Sequence, residues 1–278
     1  MSRLALSLTL LLAGWLAALP DPVRPDPNSP RPMAAVDSVF IEDLTWMEVR
    51  DALKSGKETV LVATGGVEQN GPYLVTGKHN VVLRGTTEAI ARKLGNTLVA
   101  PIVPFVPEGD IEPPTLHMLY PGTISVTEQT FQALLTDICS SLKTHGFKRI
   151  ILIGDSGGNQ DGMKAVADAL SSKWKDSCRI VFIADYYSRG NVTKWLQSQG
   201  INETPEGLHD DFAMEATMLA VDPNSVRMKQ RIAAGNFRIN GVDLARGRNI
   251  QVGGSARVRW LQPTPHAKGE SRVSDRWR

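Results

Sequence analysis

Four stretches of this chain place acids, imidazoles, hydroxyls and glycines close enough together to do chemistry. The first runs Gly65-Gly66-Val67-Glu68-Gln69-Asn70-Gly71-Pro72-Tyr73-Leu74 and continues to Gly77-Lys78-His79-Asn80. An acid just after an apolar run, beside glycines that let backbone approach closely, suits a metal ligand or an acid–base group. The plainer alternative is that Glu68 caps the next helix or pairs with Lys78. The second stretch, from Glu112 to Thr123, carries His117 in a loop rich in Pro and Gly. The third is Gly154-Asp155-Ser156-Gly157-Gly158-Asn159. It contains the G-x-S-x-G string of a nucleophile elbow, and its glycines could instead turn backbone N–H groups toward an anion or oxyanion. The fourth, Glu206 to Thr217, brings His209, Asp210, Asp211 and Glu215 within seven residues, with Asp211 and Glu215 on one helical face. One of the two aspartates is expected to cap the helix.

The elements between these stretches alternate apolar strands with amphipathic helices. Strands are predicted at Thr59–Thr64, Leu98–Val103, Arg149–Ile153 and Arg179–Ala184. Helices are predicted at Asp43–Leu53, Val81–Leu94, Thr127–His145, Gly162–Trp174 and Asp211–Val221. The strands are apolar nearly throughout, as strands buried on both faces are. The pattern therefore predicts an α/β fold, a single three-layer domain with a mostly parallel sheet between helices. Ligands of such sheets bind at the carboxyl ends of the strands. The loops 65–80, 104–123 and 154–161 follow strands, so they are where an active site would be built.

Composition narrows the function classes. The chain has 278 residues, 42% hydrophobic and 22% charged, with a formal net charge of +2. That excludes collagen-like, disulfide-dense and wholly disordered proteins. The segment 246–278 holds eight Lys or Arg against two acids, so the body before it is mildly acidic and offers no electrostatic reason for a nucleic-acid partner. Residues 1–19 have the short positive start and apolar run of a signal peptide, and six prolines between Pro20 and Pro32 suit an extended linker. The expected organisation is a signal peptide at 1–19, a Pro-rich linker at 20–40, the α/β domain at 41–245 and a basic irregular tail at 246–278. The mature protein is expected to be exported, periplasmic or secreted, and free of the membrane once the signal is removed. Cys139 and Cys178 are the two cysteines; their spacing does not suggest a thiolate metal site.

In order and spacing, the four stretches resemble the creatininase (creatinine amidohydrolase) family over residues 41 to about 245. The family's G-x-x-E-Q-H-G-P-H-L-P-x-G-x-D is similar to Gly65–His79, its H-M-x-F-P-G-T to His117–Thr123, its N-G-H-G-G-N to Gly154–Asn159, and its H-A-G-x-x-E-T to the segment ending Glu215-Ala216-Thr217. The resemblance implies a divalent-metal site, commonly of two zinc or manganese ions, hydrolysis of C–N bonds in small amides, and assembly as a hexamer. It also exposes departures. Asn70 stands where the family has a histidine ligand, His79 where it has a bridging aspartate, and Ser156 where it has the histidine of G-H-G-G-N. The histidine opening H-A-G aligns with Asp210, or with His209 if one residue is inserted.

The resemblance, taken with these exchanges, leads to an expected ligand set of Glu68, His79, Asp155, Asp210 or Asp211, with Glu215 nearby. This set would hold one Mn, Zn or Mg ion more readily than two. Glu215, Ser156 and His117 are the expected catalytic groups. Asn70, Tyr73, Tyr120, Gly157, Gly158 and Asn159 are expected to meet the substrate. The leading expectation is a metal-dependent hydrolase of a small linear or cyclic amide. The alternatives are a metal-independent serine hydrolase using Ser156, for which Asp185 and His209 would complete a triad, and a non-catalytic small-molecule-binding protein on the same fold.

Overall fold

A computed structural model of the protein describes residues 24–188, 190–202, 209, 212–235, 238–239, 242–243, 250–252 and 256–258. The expected signal peptide, most of the basic tail, Asp210 and Asp211 lie outside the described residues. Among the described residues no helix is long and apolar enough to cross a membrane.

Four strands form one parallel sheet in the order β2–β1–β3–β4: β1 is Thr59–Thr64, β2 Thr97–Val99, β3 Arg149–Gly154 and β4 Arg179–Phe182. The central pair is in register along its whole length, with Val60 opposite Ile150 and Thr64 opposite Gly154. Alternation sorts the side chains onto two buried faces. Val60, Val62, Leu98, Ile150, Leu152 and Ile180 join the larger core, with Phe131 and Leu135 of α3 (Glu128–Thr144) and Met163, Val166 and Leu170 of α4 (Gln160–Trp174). Leu61, Val99 and Ala63 face the other way, toward Ala91 and Leu83 of α2 (Lys78–Leu94). Each of the larger of these side chains contributes roughly 1.5–3 kcal/mol by leaving water. This two-sided burial explains why the strands show no polar alternation.

The expected strand over 98–103 is shorter as a regular element. Pro101 has no N–H to continue the ladder, and the chain rejoins the sheet through a single bridge from Val103 to Thr64. The helix α7 (Phe212–Val221) crosses α2 closely, because at Gly85 a side chain would run into Val221. Three further helices, α5 (Asp185–Ser188), α6 (Gly190–Ser198) and α8 (Met228–Ala233), were not anticipated from the sequence pattern.

The Pro-rich segment, in its described part, lies against α1 (Trp46–Lys54). Arg50 donates to the carbonyls of Pro27 and Ser29 at 2.8 and 2.7 Å, and Glu48 accepts from the Val36 N–H at 2.7 Å. Thr45 and Glu48 also form a capping box at the start of this helix.

Candidate metal centre

The site grows from the carboxyl ends of β1 and β3, where the sheet's carbonyls end and the glycine-rich loops begin. Beyond β1 the chain turns through Gly65 and Gly66 to Glu68. The side-chain amide of Asn80, on the first turn of α2, clamps this turn: it donates to the Gly66 carbonyl at 3.0 Å and accepts from the Gly66 N–H at 3.2 Å. Glycine at 66 leaves room for the Glu108 carboxylate, which a Cβ there would displace. Beyond β3, Asn159 is fully buried and donates to the carbonyls of Thr64 and Gly65 at 3.0 and 3.2 Å, which ties the Gly157–Asn159 turn to the end of β1.

The helix α2 begins at Lys78, three residues earlier than the apolar pattern indicates, and its first turn aims two cationic side-chain types inward. His79 Nε2 lies 2.7 Å from Glu68 Oε1, and His79 Nδ1 lies 2.8 Å from Asp155 Oδ2. A ring that donates from both nitrogens satisfies both carboxylates. Lys78 Nζ stands 3.6 Å from Glu68 Oε1 with its side chain 1% exposed, so the pairing weighed as the plainer alternative is present.

Two more imidazoles reach the same carboxylate from distant segments. His117 Nε2 is 3.2 Å from Glu68 Oε2 and His209 Nδ1 is 3.3 Å from Glu68 Oε1. Their ring centroids are 4.7 Å apart. His117 sits on a short 3-10 turn, Leu116–Leu119, entered through Leu116 at φ +50°. That conformation is unusual for a bulky residue and costs on the order of 1–3 kcal/mol, the kind of local strain found where a side chain must be aimed. One donor atom from each of Glu68, His117 and His209 lies within 4.8 Å of the others.

A metal fits this set on two grounds. Two imidazoles and one carboxylate are the donor types of three-ligand catalytic zinc sites, and they also suit manganese. His117 Nδ1 is buried without a hydrogen-bond partner among the described residues, and His209 Nδ1 stands 3.3 Å from Glu68 Oε1 without a well-directed hydrogen bond. His79 holds the Glu68 carboxylate at 2.7 Å, the kind of outer contact that would orient a metal-ligating group.

The electrostatics separate the two glutamates. Burial pushes the Glu68 carboxyl up, but the close approach of His209, the hydrogen bond and charge of His79 and the charge of Lys78 outweigh it, and hold Glu68 well below the usual carboxylate range. Glu108 goes the other way. Burial, then the negative charge of Glu68, push it up to about 9. Burial also lowers His117, against the opposing pull of Glu68.

The remaining expected site residues have definite places. Ser156 is buried and donates to Glu108 Oε2 at 3.4 Å, so its hydroxyl faces a carboxyl rather than an imidazole. Glu215 is fully buried, and its Oε2 accepts from Arg231 Nη1 at 2.8 Å. The Arg231 guanidinium lies 5.2 Å over the Tyr73 ring. Asn70 is buried, and its amide donates to the carbonyls of Glu68 and Val75 at 2.9 and 3.2 Å, bracing its own loop. Gly158 packs its α-carbon against the Pro107 carbonyl, where a side chain could not fit. Tyr120 is exposed on the rim beside His117. Glu108, between Pro107 and Gly109, was missed from the sequence; its one signal was its place in a loop that follows a strand. Arg231 was missed as well and carried no signal.

A parallel α/β sheet with carboxylate and imidazole groups gathered at its carboxyl edge defines an α/β protein with a candidate metal centre. The profile of the creatininase family, described as creatinine amidohydrolase, matches residues 42–270, and the chain belongs to that family. Over 186 residues it is 25% identical to 3-dehydro-scyllo-inosose hydrolase of Thermotoga maritima, covering 66% of this chain and 57% of that one. It is also 25% identical over 116 residues to creatinine amidohydrolase of Pseudomonas putida, covering 42% and 44%. The chain thus spans about half the length of the curated relatives it matches. The crystal structure of a creatinine amidohydrolase shares its fold, with a TM-score of 0.56 at 21% identity over 70% of this chain and 76% of that one. A manganese form of creatininase matches similarly, with a TM-score of 0.54 at 21% identity over 69% and 76%.

Proposed function

We propose that this protein is a metal-assisted hydrolase of the C–N bond in a small linear or cyclic amide, its ion held by Glu68, His117 and His209. The observation that carries this reading is the convergence of those three donors from three separate loops. A divalent ion there would polarise the scissile carbonyl and acidify a water.

The protein's own groups supply the rest. Glu108 is the buried acid beside Glu68, raised in the metal-free fold by burial and by the Glu68 charge, and we assign to it proton donation to the departing nitrogen. Ser156 holds the Glu108 carboxyl in place through its hydroxyl. This assigns proton transfer to Glu108 in place of Glu215, whose carboxylate is engaged by Arg231. The serine-hydrolase alternative is less supported, since a protonated Glu108 is no base for the Ser156 hydroxyl. The relatives' names support hydrolysis as the reaction class, and their two substrates differ.

The test uses purified full-length protein, its metal measured by plasma mass spectrometry, and a panel of small linear and cyclic amides. Bound metal together with amide cleavage that chelator abolishes and added zinc or manganese restores is the expected result. Cleavage indifferent to chelator, with fluorophosphonate labelling of Ser156, would establish the serine mechanism. Ligand-induced stabilisation with neither metal nor cleavage would establish a binding protein.

A further inference from the structure

His79 has no part in the chemistry assigned above, yet it is buried between two carboxylates of the site. Its imidazole is wedged between a carboxylate from the end of β1 and one from the end of β3, at 2.7 Å from Glu68 Oε1 and 2.8 Å from Asp155 Oδ2. The three side chains are 6%, 3% and 2% exposed. Two oxygens that share one cation each lie about 2.0–2.6 Å from it. With the ring between them the two oxygens stand too far apart to share a cation, so one ion could serve both Glu68 and Asp155 only if the ring were absent and the carboxylates closed in on the space it fills. The ring also takes up the facing oxygen of each carboxylate through its nitrogens. Lys78, one residue earlier on the same helical turn, places its ammonium 3.6 Å from Glu68 Oε1, giving the carboxylate pair positive charge of the protein's own.

We propose that the His79 imidazole stands in the place of a second cation and makes this centre mononuclear, one divalent ion per chain. The ring is a positioning residue: it fixes Glu68 so that Oε2 is left toward His117, and it closes the Glu68–Asp155 gap to metal. A solved creatininase variant, by contrast, is described as a Zn–Zn type. The inference rests on Glu68, His117 and His209 being the ligands of the single ion.

The experiment is a metal count that is independent of turnover. Full-length protein and the variants His79→Ala and His79→Asp are stripped with chelator, dialysed against excess zinc, freed of loose ion and analysed for zinc per chain. Wild type is expected to retain one ion. Both variants are expected to retain two, because removing a potential ligand opens the space between two buried carboxylates. Two ions in wild type would overturn the inference and leave the metal reading intact. One ion or none in a folded variant, when wild type has one, would also overturn it. No zinc in wild type would overturn the ligand reading itself and the inference with it. If His79→Ala does not fold, the wild-type count and the aspartate variant still decide.

Discussion

Arg231→Met separates a Glu215 that serves the fold from one that serves the reaction. Arg231 Nη1 donates to Glu215 Oε2 at 2.8 Å, and the side chains are 1% and 0% exposed. Methionine fills similar volume but takes the guanidinium away from a carboxylate that is shut off from water. Breaking a buried pair from one side costs about 3–5 kcal/mol. For a chain of this size each kcal/mol lowers the thermal midpoint by about 2–4 °C, so the midpoint should fall by about 6–20 °C. Lost contact with the Tyr73 face adds up to about 2 kcal/mol, since the guanidinium is shielded from water. The double variant Glu215→Leu/Arg231→Met removes both charges, so it should be more stable than Arg231→Met alone. The assay is scanning calorimetry of metal-free protein, with wild type, both singles and the double variant forming a cycle. A midpoint within about 2 °C of wild type for Arg231→Met, or additive losses in the double variant, would refute the reasoning. Glu215 would then return as a candidate for proton transfer.

Other perturbations test the site directly. Glu108 is raised to about 9 in the fold from an ordinary value of 4.5, so between those values the folded chain holds a proton that the unfolded chain has lost. Its contribution is greatest below the unfolded value and is lost as pH rises through the window. Between pH 7 and 9 the stability of metal-free protein should fall by up to about 1.4 kcal/mol per pH unit, and Glu108→Gln should flatten that slope in urea titrations. His209→Ala and His117→Ala should each weaken zinc binding by more than about 100-fold, judged against the 10–100-fold typical of outer-shell changes, as read by chelator competition; unchanged affinity in either would remove that residue from the ligand set. Thr45→Ala, which breaks the capping box of α1, should cost about 1 kcal/mol without changing the metal content.

The sheet could be read from the sequence because its signal is local. Thr59–Thr64 and Arg149–Gly154 are short apolar runs bounded by charges or glycine, and their burial on two faces leaves nothing else for them to be. Helix ends were readable where chemistry marks them, as at Thr127, whose side chain accepts from the Thr130 N–H at 3.1 Å. The start of α2 was not, because Gly77 makes no side-chain cap and the first turn is made of Lys78, His79 and Asn80, polar residues that point into the protein. Polar residues at a helix start normally indicate solvent. Here the buried carboxylates reverse that rule, and the carboxylates come from other strands. Glu108 and Arg231 escaped for the same reason: each owes its role to partners on other segments of the chain.

The departures from the family pattern compensate in space rather than along the sequence. Exchanging an aspartate for His79 turns an acceptor into a donor at the heart of the site. Left alone, that change would set a ring nitrogen against whatever lay opposite. Asp155, immediately before Ser156, provides the matching acceptor at 2.8 Å, while Glu68 takes the other nitrogen. Replacing the neighbouring histidine by Ser156 then removes a bulky ligand and leaves a hydroxyl to hold Glu108. His79, Asp155 and Ser156 are best understood as one coupled exchange. On the proposed ligand set, it moves the donors away from the ends of the strands, toward histidines 117 and 209. A single reversion at any one of the three should therefore disturb the site more than a joint reversion of all three.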